Sequence, residues 1–215
     1  MSLPNINPSF ERVSAAVVAK AAKFQPAILA DVAGRRGALH GRIKALRPSM
    51  KLAGPAFTVE VRPGDNLMIH AALALAQPGD VLVIDGKGDQ TSALMGTIMM
   101  NAARQRGLAG VVIDGAVRDS IELEAMQFPV FSVGTNPNGP TKEVGGRIGH
   151  PVCVGGVTVY PGTTSAATPM ASWWSNGTRS SLCSPPLNTR KRLKPSGSRR
   201  SRKATRRRHG CWPRW

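Results

Sequence analysis

Residues 96–122 read GTIMMNAARQRGLAGVVIDGAVRDSIE. The spacing of the apolar residues after Gly96 predicts a helix from Gly96 to Arg106, and Gly107 closes it. The β-branched run Gly110 to Ile113 predicts a strand. Asp119 to Met126 has the pattern of a second, short helix. Helix, strand and helix following one another at this spacing indicate a mixed α/β layer fold.

The same rhythm extends outward in both directions. Upstream, Asn66 to Ala76 is an expected helix, Asp80 to Ile84 a strand, and Leu52 to Val61 another strand with Gly54 and Pro55 near its start. Glu11 to Ala22 is an expected helix with Val13, Ala16, Val17 and Ala21 on one face, followed by a helix from Ala27 to about Arg35. Downstream, Pro129 to Val133 reads as a strand. The Gly-rich stretch Gly145 to Gly162 encloses a Val-rich segment, Val152 to Tyr160, expected as a hairpin or last strand.

The chemistry concentrates in the opening stretch. Gly96 precedes a helix, so the amides around Gly96, Thr97, Ile98 and Met99 have no intrahelical partner and suit a carboxylate or phosphate. Arg118 and Asp119 stand just beyond the C-terminal end of a predicted strand, where α/β sheets place ligands. An Asp can hold a hard divalent cation, and an Arg can polarise a carbonyl or pair with a carboxylate. Together they suit a 2-oxo acid. Taken alone, an Arg-Asp pair that opens a helix equally suits a surface ion pair, and Gly96 a plain turn.

Other acids carry weaker signals. Asp85 and Asp89 flank Gly86 to Gly88 and could approach the outer shell of a metal, or simply serve a solvated turn. Asp114 before Gly115 reads as a turn carboxylate. Glu122 suits orienting Arg118 or capping the short helix. His40 and His70 have no second histidine at ligand spacing and receive no role.

The runs GDNLMIHAALALAQPGDVLVIDGKG (64–88), ALMGTIMM (93–100) and GVVIDGAVRDSIELE (110–124) resemble the class II 4-hydroxy-4-methyl-2-oxoglutarate aldolases and oxaloacetate decarboxylases, and their relative, the regulator of RNase E activity A. The resemblance covers nearly all of residues 25 to 162. It implies an RraA-like α/β fold of the layered β/β/α swivelling type. It also implies a divalent cation, magnesium or manganese, on Asp119, substrate contact by Arg118, and a pyruvyl carboxylate held by the amides of Gly96 to Met99. The implied activity is that of a metal-dependent lyase acting on 2-oxo acids. The implied assembly is a trimer, or a dimer of trimers, with the site near a subunit boundary.

The family hallmark is an acidic residue, about twenty positions, then R-D-x-x-E/D. Its second half is present as Arg118, Asp119 and Glu122. The first position falls on Thr97, which has no useful basicity at neutral pH. That departure leaves room for a non-catalytic binding protein of the RNase E regulator kind.

Composition divides the chain near residue 162. All 12 Asp+Glu and 16 of the 29 Lys+Arg precede residue 163, which leaves +4 there and +13 after it. All four Trp lie in the later segment. A basic segment without acids is expected to be disordered and to bind nucleic acid non-specifically.

Codon logic offers an origin for this tail. Met and Trp have single codons, and reading Pro169 to Ser175 two bases later, with GC-rich third positions, gives Asp-Gly-Val-Val-Val-Glu, similar to the family's continuation. A nucleotide lost near Gly162 and Thr163 would produce it, and would cost the fold its last strand and C-terminal helix. A selected nucleic-acid-binding arm is the alternative. No apolar run approaches a bilayer span and Met1 to Phe10 lacks signal-peptide features, so a cytoplasmic location is expected. Cys153, within Val152 to Val154, reads as a small buried hydrophobe.

Overall fold

Short β-branched runs separated by helices assemble here into one sheet with different cover on its two faces. A computed structural model describes residues 5–168 and the backbone of 171–174. In chain order the elements are α1 (Ala15–Ala21), α2 (Pro26–Val32), β1 (Lys44–Ala45), β2 (Leu52–Glu60), α3 (Leu67–Leu75), β3 (Val81–Met95), α4 (Thr97–Gln105) and β4 (Gly110–Val117). They continue as α5 (Ser120–Ala125), β5 (Val130–Ser132), β6 (Gly134–Thr135), β7 (Arg147–Ile148), β8 (Val152–Val154), β9 (Val157–Val159), β10 (Thr164–Thr168) and β11 (Ala171–Trp174).

The sheet order is β1-β5-β4-β3-β2-β10-β11, with β6 on β4, β7 on β2, and β8–β9 a separate hairpin. β2, β3, β4 and β5 are parallel neighbours, while β1 and β10 flank them antiparallel. Parallel strands are covered on both faces, so they read as continuous apolar runs. Alternation then sorts the side chains. Leu82, Ile84, Val111 and Ile113 pack with Ile69, Leu73, Met100 and Ala103 from α3 and α4. Val81, Val83 and Val112 pack with Val152, Val154 and Val159 of the hairpin, and with Phe131 and Ala167. The result is the expected mixed α/β layered architecture, with α3, α4 and α5 on one face of the sheet and a hairpin on the other.

Several expected boundaries move. The helix expected over Glu11 to Ala22 begins at Ala15. Arg12 is held by Asp80 at 2.8 Å and the Val13 amide by the Gly162 carbonyl at 2.9 Å, which keeps this segment extended. The second helix spans Pro26–Val32. β3 runs on through Asp85 and Asp89 to Met95, with register shifts after Ile84, Asp89 and Ala93 and Lys87 at φ 61°. Bulges of this kind absorb surplus residues on one strand. β4 likewise continues past Ile113 to Val117 and carries Asp114 inside the sheet. Cys153 is exposed, because alternation along β8 turns Val152 and Val154 inward and Cys153 out.

The sheet also passes the compositional break. β10, from Thr164 to Thr168, pairs antiparallel with β2, so a strand stands where loss of the last strand was expected. The remaining expectations for the tail, disorder and nucleic-acid contact among them, fall on residues outside the described range. Among the described residues, no helix is long and apolar enough to cross a membrane.

Candidate functional site

β3 and β4 are parallel neighbours that end level, with Met95 opposite Val117. Gly96 and Thr97 therefore emerge beside Arg118 and Asp119. The Arg118 amide bonds the Met95 carbonyl at 3.0 Å, which locks the two exits together. Asp119 adopts φ 59°, ψ 43°, a left-handed conformation that Asp tolerates better than most residues, and precedes α5. This turn points its carboxylate back at α4, where Oδ2 accepts the Thr97 amide at 2.9 Å.

Gly96 is required by proximity and not by its backbone, which is extended at φ −139°. A Cβ there would lie 2.5 Å from Asp119 Oδ2, 2.8 Å from Arg118 Cγ and 3.0 Å from Arg118 Nε. The small residue lets guanidinium, carboxylate and helix N-terminus share one corner. Arg118 Nε lies 3.8 Å from Asp119 Oδ2, a loose ion pair, with side chains 42% and 38% exposed. Both groups thus keep most of their binding capacity. Asp119 Oδ1 has no partner among the described residues.

The structure brings Gly96, Thr97, Arg118 and Asp119 together in one corner. The Thr97 amide is taken by Asp119, so within the first turn of α4 the Ile98 and Met99 amides remain as donors. The Thr97 hydroxyl is buried and unpaired. Glu122 is exposed on the first turn of α5, and its carboxylate meets neither Arg118 nor another described side chain.

The weaker candidates belong elsewhere. Asp114 is no turn residue: Arg42 grips it at 2.8 Å and the Gly155 amide at 2.7 Å. Asp85 is buried and pairs with Lys87 at 2.8 Å, while Asp89 accepts from the Thr91 amide and hydroxyl. Neither is aimed at Asp119 by any bond it makes. His70 is exposed on α3, and partial burial, then the Lys142 charge, holds its imidazole below the usual range.

Sequence reasoning missed two buried neighbours of the site. Asp65 accepts from Thr141 Oγ1, Leu67 N, Glu143 N and Val144 N, and Asn66 Nδ2 donates to the Leu94 carbonyl at 2.9 Å. The available signal was an Asp-Asn pair opening a helix, which reads first as a cap.

A resident metal is tested by the donor set. Among the described residues, no three His, Cys, Asp or Glu side chains converge. Magnesium is commonly bound by one or two carboxylates, with substrate and water completing the shell. The exposed, half-used carboxylate of Asp119 fits that role as a single ligand.

A Halalkalibacterium halodurans protein called "Putative 4-hydroxy-4-methyl-2-oxoglutarate aldolase" is 44% identical over 124 residues, 58% of this chain and 59% of that protein. The chain thus matches about three-fifths of that relative's length. The RNA-processing inhibitor RraA from Thermus thermophilis aligns with TM-score 0.65 and 29% identity, covering 73% of this chain and 97% of its own. The S-adenosylmethionine: 2-dimethylmenaquinone methyltransferase from Geobacillus kaustophilus aligns with TM-score 0.66, 33% identity and the same coverages. Residues 15–167 match the model of the RraA-like family, Aldolase/RraA, and the chain belongs to that family.

Proposed function

We propose that this chain is a divalent-metal-dependent lyase that cleaves a C–C bond of small 2-oxo acids. The carrying observation is the corner where the Asp119 carboxylate meets the first turn of α4, 2.9 Å from the Thr97 amide, with Arg118 beside it. In this reading the Ile98 and Met99 amides hold the substrate carboxylate, and Arg118 donates to the 2-oxo oxygen. Asp119 holds magnesium or manganese, which when bound supplies Lewis-acid charge to the 2-oxo group.

As the bond beyond C3 breaks, its electron pair moves onto the 2-oxo oxygen and gives a pyruvate enolate. Arg118 stabilises the developing negative charge, and a proton from water at C3 completes pyruvate. Oxaloacetate would lose carbon dioxide by this route. 4-Hydroxy-4-methyl-2-oxoglutarate would release a second pyruvate, its 4-hydroxyl proton leaving to water because Thr97 cannot take it.

The test is manganese-dependent release of pyruvate from oxaloacetate. It is expected in the wild type and lost in Asp119→Ala; turnover that persists in the variant, or never needs metal, refutes the assignment. The subunit-boundary placement that the resemblance implies belongs to the same proposal. Ile98 and Ile121, 82% and 80% exposed on either side of the site, support it.

A second reading is favoured by one observation, the hydroxyl of Thr97 where the hallmark has a carboxylate. It makes the chain a non-catalytic binding protein of the RNase E regulator kind. Isothermal titration separates the two, since this second reading predicts binding of neither Mn²⁺ nor pyruvate.

A further inference from the structure

Two walls of the site are tethered to adjacent residues, Asp65 and Asn66, ahead of α3. Asp65 is 1% exposed. Its Oδ2 accepts Thr141 Oγ1 at 2.6 Å, Glu143 N at 2.8 Å and Val144 N at 3.2 Å, and its Oδ1 accepts Leu67 N at 2.9 Å. Three of these four donors lie on one loop. That loop's other end is fixed to β3 by Asn136 Nδ2 on the Gln90 carbonyl at 2.7 Å and Asn138 Nδ2 on the Thr91 carbonyl at 3.1 Å. Between the two anchors sits Gly139, so close to Arg118 that a Cβ would lie 3.3 Å from Nη1.

Asn66 holds the opposite wall. It is 3% exposed, and its Nδ2 reaches the Leu94 carbonyl at 2.9 Å and Met99 Sδ at 3.3 Å. Leu94 stands two residues before Gly96, and Met99 lies in the first turn of α4. The Asn66 Oδ1 is buried without a partner. An amide that leaves a buried oxygen unsatisfied contributes less to stability than its burial suggests.

We propose that Asp65 and Asn66 are positioning residues of the site. Asp65 fixes the loop that backs Arg118, and Asn66 fixes the β3–α4 junction that carries the Ile98 and Met99 amides. From one short stretch they set the distance between the guanidinium and the amides that would span a 2-oxo acid. This rests on the reading of that corner as a 2-oxo acid site. A carboxylate and a carbonyl must be met at once, so an error of about 1 Å in their spacing is felt in binding.

The test uses the full chain with two readouts. One is amide hydrogen exchange of peptides covering residues 94–100 and 138–145. The other is titration with Mn²⁺ alone and then with oxalate, a stable mimic of the pyruvate enolate. Asp65→Asn is expected to speed exchange in 138–145 only, and Asn66→Ala in 94–100 only. Each should weaken oxalate about tenfold while Mn²⁺ affinity stays at the wild-type value.

Asn66→Ser keeps the Asn66 half of the test alive if Asn66→Ala fails to fold. Oxalate affinity within twofold of wild type in Asp65→Asn and in the folded Asn66 variant overturns the positioning role alone. A wild type that binds neither Mn²⁺ nor oxalate overturns the oxo-acid reading, and the positioning role falls with it.

Discussion

Asp114 and Asp119 come from one short stretch of chain, yet the fold treats them differently. Asp114, in β4, has a side chain 3% exposed that takes two Arg42 nitrogens and the Gly155 amide. Asp119, just beyond β4, is 38% exposed, accepts one amide, and meets its arginine at 3.8 Å. A buried charge is expensive unless paired, so the bonds to Asp114 are what burial demands. Asp119 satisfies one first-turn amide of α4 from φ 59° and still has an oxygen to spare. The comparison separates an acid consumed by the structure from one the structure presents.

The sharpest way to break this contrast is Gly96→Ala. The added methyl displaces the Arg118 and Asp119 side chains without touching the core, so turnover should fall about a hundredfold. Stability should change by less than about 1 kcal/mol. A pyruvate assay beside urea denaturation reads both, and normal turnover would show that the close packing at Gly96 is incidental.

Asp114→Ala should give the converse result. It strands Arg42 and the Gly155 amide, and about 2–3 kcal/mol of stability should be lost, less than for a fully buried pair because Arg42 is 43% exposed. Metal-dependent turnover of the protein that remains folded should persist. A loss of turnover at unchanged stability would reverse the roles assigned to the two acids.

The smallest effect is one of pH. Burial alone would raise the Asp65 carboxyl, but donors from Glu143 N, Thr141 Oγ1, Leu67 N and Val144 N outweigh it and hold the group at about 2. A depressed carboxyl stabilises the fold fully above its unfolded value of 3.8, and that contribution fades as pH falls towards 2. Acid unfolding followed by circular dichroism should be steeper between pH 4 and 2 in wild type than in Asp65→Asn. Parallel curves would remove Asp65 from the acid response.

The order of elements was legible because hydrophobic periodicity is local: α3, α4, α5 and the β8–β9 hairpin fall within a few residues of expectation. The corner of Gly96, Thr97, Arg118 and Asp119 was legible through a motif with fixed spacing. Pairings over long separations were not. Arg42 meets Asp114 across 72 positions and Thr141 meets Asp65 across 76, and no local pattern encodes such partners. The length of β3 was hidden for another reason. Glycines and acids in Asp85 to Asp89 have the chemistry of a turn, and only the bulged pairing with β4 keeps them in the sheet.

β10 is the segment TSAAT, set against β2 from Thr164 opposite Pro55 to Ala167 opposite Leu52. β10 is an inner strand with β11 on its far side, and Thr164 to Ala167 are buried, so this position asks for an extended run of small side chains. Many unrelated codons meet that specification. This strand therefore admits genetic rewording among small residues, whereas a single added carbon at Gly96 collides with both charged groups. Exchanges of one small residue for another should be tolerated in β10, while the corner admits not even a methyl.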